Sequence, residues 1–172
     1  MEFKYNLKIK MNETKHLFIP IFGKESSKRS IFEAAAAKIA ACYNKAKSKD
    51  IYANILLLQI KNDLDELINR LREQSKIVKQ LLEKTAVNLS DINGIKSQII
   101  YQSSFSNPVN FALIQLIQKF DKCIMLLLCA KNSGCFTASK DFYQLKKSLK
   151  KDCWRTLTKI MRVELKTQSA KK

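Results

Sequence analysis

The segment Glu2–Met11 alternates strictly: Phe3, Tyr5, Leu7, Ile9 and Met11 are apolar, and Glu2, Lys4, Asn6, Lys8 and Lys10 are polar. A period of two places one set on each face of a β-strand, the apolar set turned toward a core. A strand cannot stand alone, because its backbone N–H and C=O groups need partners. Nearly everything after it reads as helix. What this strand pairs with is therefore the first question the chain poses.

The helical reading follows from punctuation and spacing. Only 3 Gly and 2 Pro occur in 172 residues, which favours long helices over a many-turned β fold. Asn12 can cap a short helix through Leu17, Phe18 and Ile21 to Gly23, but Pro20 would interrupt it, so 13–22 reads as helix or as a second extended stretch. Ser30-Ile-Phe-Glu33 is a capping box, and the alanine-rich run behind it continues to about Lys47–Lys49. Asp50 caps a long helix in which Leu57, Ile60, Leu64, Leu67, Leu71, Gln74, Val78 and Leu81 recur at spacings of three and four. That seam is either one core-facing stripe of a bundle or an inter-chain coiled coil. Thr85–Ser104 reads as a loop with a short extended piece at Ile99–Tyr101. Asn107-Pro108 then opens a buried central helix, Val109–Lys131, which Gly134 ends. Gln115, Gln118, Lys119, Asp121 and Lys122 at its centre argue against a membrane span. The last helix, Ser139–Leu165, is expected to pack Phe142, Leu145, Leu149, Trp154, Leu157 and Ile160 inward and to leave a basic outer face.

Charge narrows the function. With 32 Lys+Arg against 15 Asp+Glu the chain carries +17, and self-repulsion on that scale calls for a polyanion partner. Nucleic acid is the first expectation, ahead of an anionic membrane surface or an acidic protein. Residues 1–50 carry 11 basic and 5 acidic side chains, 51–135 carry 10 and 7, and 136–172 carry 11 and 3, so the two ends are the basic regions. The five cysteines (Cys42, Cys123, Cys129, Cys135, Cys153) sit mostly in apolar helical context. They read as reduced thiols of a cytoplasmic protein, in keeping with an N-terminus that lacks a signal-peptide pattern. With one His and no C-x-x-C, neither a metal site nor a Cys–His or Ser–His–Asp pair is indicated, and no Gly-rich phosphate loop is present. No catalytic residue, metal or cofactor is expected, and the chain is not read as an enzyme.

A strand with one apolar face followed by two helices is the plan of the ribbon-helix-helix unit. There the missing partner is the same strand of a second chain, and the two form a ribbon that fits the major groove of double-stranded DNA. Lys4, Asn6, Lys8 and Lys10 would face base edges, since lysine donates to guanine and asparagine pairs with adenine. Lys24, Ser26, Ser27, Lys28, Arg29 and Ser30, at the start of the second helix, would hold a phosphate. The alternative is an edge strand whose lysines deter aggregation.

Two motifs bear on this choice. Asp50-Ile-Tyr-Ala-Asn-Ile-Leu-Leu-Leu-Gln-Ile60 resembles the D-P-Y-A-D-W-x-L-L-x-I signature of the AcaB-type transcriptional regulators of conjugative plasmids and integrative conjugative elements. Phe105-Ser-Asn-Pro108 and Phe120-Asp121 are similar to that family's second block, F-x-N-P with a later F/Y-D pair. The likeness covers roughly residues 5–135, with Ile51 where the family prefers Pro and Ile55 where it prefers Trp. Both departures are expected at packing positions, and Tyr52, Asn107 and Pro108 at structural ones. The resemblance implies a dimeric DNA-binding module with an added helical domain, its DNA-facing strand matching Lys4, Asn6 and Lys8.

The expected architecture is mostly α: a ribbon-helix-helix-like unit at 1–48 that pairs into a dimeric two-stranded ribbon, an α-helical bundle domain at 50–165, and a basic tail at 166–172. The expected function is sequence-specific regulation of transcription on a mobile element by a homodimer, with no membrane role and room for a protein partner on the helical domain. Its rivals are a non-specific DNA-binding accessory protein of conjugation and an interaction module using the heptad helix.

Overall fold

The computed structural model describes residues 3–18, 29–85, 99–105 and 107–165. The opening alternation forms strand β1, Phe3–Ile9. Its partner lies in the same chain: β2, Ile99–Phe105, runs antiparallel to it, from Phe3 opposite Phe105 to Ile9 opposite Ile99. One edge of β1 is thus met within the chain, as the edge-strand alternative has it, and not by the same strand of a second copy. The extended piece expected at Ile99–Tyr101 continues to Phe105, long enough to satisfy one edge of β1 along its whole length. Nothing in sequence separation could have announced that pairing.

After β1 the chain turns into a short helix, α1 (Asn12–Lys15), continued by a 3-10 turn at His16–Phe18. Met11, not Asn12, is the capping residue, and it makes no side-chain cap. The 13–22 segment is thus helical as far as Phe18, and Pro20 lies outside the described residues. Helix α2 (Ile31–Lys47) begins at the predicted capping box: the Glu33 N–H donates to Ser30 Oγ at 3.2 Å, and the Ser30 N–H donates to Glu33 Oε2 at 2.8 Å. The Asp50 carboxylate accepts from the Ala53 N–H at 3.0 Å and starts α3 (Ile51–Glu83). The Asn107 side chain accepts from the Asn110 N–H at 2.8 Å and, with Pro108 in the first turn, starts α4 (Pro108–Asn132). Helix α5 (Ser139–Met161) stops short of the expected Leu165.

Two of these helices end in the same way. At Lys49 and at Gly134 the backbone turns left-handed (φ 62° and 71°), and the following N–H reaches back to the Lys45 and Ala130 carbonyls respectively. Both are Schellman stops, one built on glycine and the other on a lysine that bears the Cβ cost.

Helix α4 is the core. It is buried on most sides, with Leu113, Leu116, Ile117, Phe120, Ile124 and Leu127 removed from solvent, and α3 lies along it in the largest helix–helix contact of the fold. The heptad seam of α3 is what α4 covers: Leu57, Ile60, Leu64, Leu67, Leu71 and Val78 are buried, and Leu82 is buried beside a half-buried Leu81. Each leucine so buried contributes roughly 1.5–3 kcal/mol. The seam is thus buried inside the chain, as the bundle reading has it, and not laid open as the surface of an inter-chain coiled coil. One apolar cluster joins Leu7 and Ile9 of β1, Ile31, Phe32 and Ile39 of α2, the α3 seam, α4, and Phe142, Leu149 and Leu157 of α5.

Candidate nucleic-acid interface

Along β1 the alternation becomes two faces. Leu7 and Ile9 are fully buried, while Asn6 and Lys8, which alternate with them, are exposed and Lys10 is partly so. In the register Asn6 stands opposite Gln102, Lys4 opposite Ser104 and Lys8 opposite Ile100. Sequence reasoning missed the backbone pairing of Gln102 and Ser104 with β1 because the 99–105 segment was expected to be mostly loop. Among the described residues the sheet has two strands, so β1 keeps one edge that no strand covers.

What seats this strand is a buried acid. Asp121, on α4 and 6% exposed, accepts from the Lys10 N–H at 3.1 Å (Oδ2) and from the Met11 N–H at 3.0 Å (Oδ1). These two donors lie at the turn from β1 into α1, where orphan backbone groups need an acceptor. A carboxylate bonded to two N–H groups is a strong anchor. The acid expected to mark α4 as non-membrane thus fixes where β1 leaves the core. A second tie joins the same turn to α5: Glu13 pairs with Lys146 at 2.5 Å. Burial pushes the Glu13 carboxyl up, but the hydrogen bond from Lys146, its own backbone bond and the charges of Lys146 and Lys150 outweigh that and hold it below its ordinary value.

Of the expected phosphate contacts, Lys24, Ser26, Ser27 and Lys28 lie outside the described residues. Arg29 is exposed just ahead of α2. Ser30 is fully buried, its hydroxyl accepting from the Glu33 N–H and donating to the Glu33 carboxylate at 3.0 Å. It fixes the start of α2. The positions of Ile51 and Ile55 also differ from expectation. They are 75% and 49% exposed rather than packed, because they fall with Leu58 on the side of α3 away from the seam. Tyr52 is at the margin of exposure, and Asn107 and Pro108 are the structural start of α4.

On α5 the inward stripe is Phe142, Leu149, Cys153, Leu157 and Ile160. Trp154, expected inside, is 42% exposed, because Cys153 takes the buried position and turns the next residue outward. All five cysteines are free. Burial raises the Cys42, Cys123 and Cys129 thiols, and full burial with the nearby Asp152 charge pushes Cys153 up to about 12. Those four are protonated packing groups. Among the described residues no helix is long and apolar enough to cross a membrane, and no cluster of His, Cys, Asp or Glu could hold a metal.

No protein of curated function matches the chain in sequence. Among solved structures, the fold is similar to the crystal structure of selenomethionine-containing AcaB from uropathogenic E. coli, with a TM-score of 0.65 over 94% of this chain and 76% of that one, at 12% identity. At that identity the likeness speaks for the fold. The family model described as transcriptional regulator AcaB matches residues 7–169. This chain therefore belongs to the AcaB transcriptional regulator family, which implies a role in regulating transcription.

Proposed function

We propose that the chain is a sequence-specific DNA-binding regulator of transcription on a conjugative or integrative mobile element, working in the cytoplasm as a homodimer. The observation that carries this reading is the two-faced strand: exposed Asn6 and Lys8 alternate with fully buried Leu7 and Ile9, on a strand tied to the core by Asp121. Residue types that read base edges are thereby held on a rigid support, with Lys4 next in the same alternation. Two copies join through the β1 edge that β2 leaves open, so that the central strand pair enters the major groove and each β2 flanks it. The 1–48 segment is the DNA-binding unit, and Lys24, Ser26, Ser27, Lys28 and Arg29 grip phosphate ahead of α2. Ser30 serves them by fixing the helix start. The helical part supports the dimer or a protein partner, and the residues bear no catalytic role.

Fluorescence anisotropy on the element's own promoter DNA and on shuffled duplex, across a salt series, tests this. A preference for the promoter of about two decades or more, persisting as salt rises, is expected. Lys4→Ala with Asn6→Ala should erase it with the circular dichroism unchanged. Survival of the preference in that folded variant would remove β1 from the reading role. The second reading, a DNA-binding accessory protein that reads no sequence, is favoured by the +17 charge. It predicts equal affinities for both duplexes that collapse together with salt.

A further inference from the structure

The outer face of α5 combines two features that the regulator reading does not use together. Lys147, Lys150, Lys151, Trp154, Arg155 and Arg162 are all exposed, and their spacing of three, four, seven and eight residues lays them along one helix face. The stripe runs about 22 Å along the axis. Lys159 at its side is held by Asp63 of α3 at 2.6 Å, and Asp152 is taken by Arg70 at 2.6 Å. Among the described residues no carboxylate pairs with Lys147, Lys151, Arg155 or Arg162. In the middle of this row stands Trp154, the chain's single tryptophan, 42% exposed.

We infer that this face binds single-stranded nucleic acid, with Trp154 stacking on an unpaired base while the flanking lysines and arginines follow the phosphates. A row of cations alone would suit any polyanion. An exposed indole inside that row adds something only where the partner offers an open π-face, which unpaired bases do and the stacked interior of a duplex does not. A membrane surface fits poorly. An interfacial helix lays an apolar face into lipid, whereas the apolar face of α5 (Phe142, Leu149, Cys153, Leu157, Ile160) is consumed by the core. The inference stands on a different element from β1 and does not depend on the duplex-reading proposal.

Because Trp154 is the only tryptophan, its emission reports this face alone. The full chain is titrated with dT and rU oligonucleotides of about fifteen nucleotides, long enough for a typical single-strand site, with labelled-oligonucleotide anisotropy alongside. Quenching that weakens with salt is expected, and the tighter of the two homopolymers identifies the strand as DNA or RNA. Trp154→Ala should weaken single-strand binding roughly tenfold, Trp154→Phe should restore much of it, and the affinity of either variant for promoter duplex should hardly change. Lys147→Gln with Lys151→Gln and Arg155→Gln should flatten the salt slope by about two. The inference would be overturned by quenching by neither homopolymer, by quenching by duplex alone, or by a blue shift on vesicles containing phosphatidylserine with no response to oligonucleotides. Single-strand affinity unchanged in Trp154→Ala would also overturn it.

Discussion

Two basic faces of this molecule are built on opposite principles. The α5 face is a by-product of its own periodicity: residues spaced to bury Phe142, Leu149, Cys153 and Leu157 leave Lys147, Lys150, Lys151 and Arg155 outside. Its geometry follows from one helix packed on the core. The β1 face depends on others. Its backbone partner is β2, and its exit from the core is set by Asp121 on α4. A face carried by a packed helix tolerates change elsewhere. A face carried by a strand fails when a distant acceptor is removed.

The strongest way to break this comparison is Asp121→Ala, which takes their carboxylate acceptor from the part-buried Lys10 N–H and the buried Met11 N–H. At roughly 1–3 kcal/mol for each of the two donors, stability should fall by about 2–6 kcal/mol in denaturant melts. Below the unfolding transition, promoter affinity should fall more than single-strand affinity. Equal losses on both would mean that Asp121 merely stabilises the whole.

A smaller change sharpens the comparison at the one described ion pair that links the two regions. Glu13→Gln removes the partner of Lys146. Because the Glu13 pKa is depressed in the folded chain, its contribution is fully present above the ordinary glutamate value and is lost as pH falls through the folded one. The stability difference between wild type and Glu13→Gln, on the order of 1 kcal/mol for this partly buried pair, should be constant at neutral pH and vanish in acid. A difference that grows on acidification would reverse the assigned sign.

The smallest effect concerns the α2–α3 corner, remote in role from either face. Lys49→Gly should relieve the left-handed backbone at φ 62° and raise stability by about 0.5–1 kcal/mol, with both binding activities unchanged. No gain in the thermal midpoint would show that this lysine is not strained.

Much of the fold was legible because helix starts are local. Ser30 with Glu33, Asp50 and Asn107-Pro108 each announce themselves within four residues, and each is found capping the helix it predicted. The seam of α3 was equally plain, though its spacing could not say whether the partner was α4 or another chain. Trp154 was misplaced by treating every large apolar residue of the last helix as inward. Its spacing from Lys147, Lys150 and Lys151 already put it on their side.

The sequence by itself thus determined the helices, their caps and the two-faced alternation of β1, since each depends on residues within a turn or two of one another. Tertiary structure alone decided that β2 is the partner of β1, that Asp121 is its anchor and that Ser30 is buried and not open to a phosphate. Strand pairing and burial join residues about a hundred positions apart. The free energy that selects them arises only when the core closes, and no local pattern encodes it.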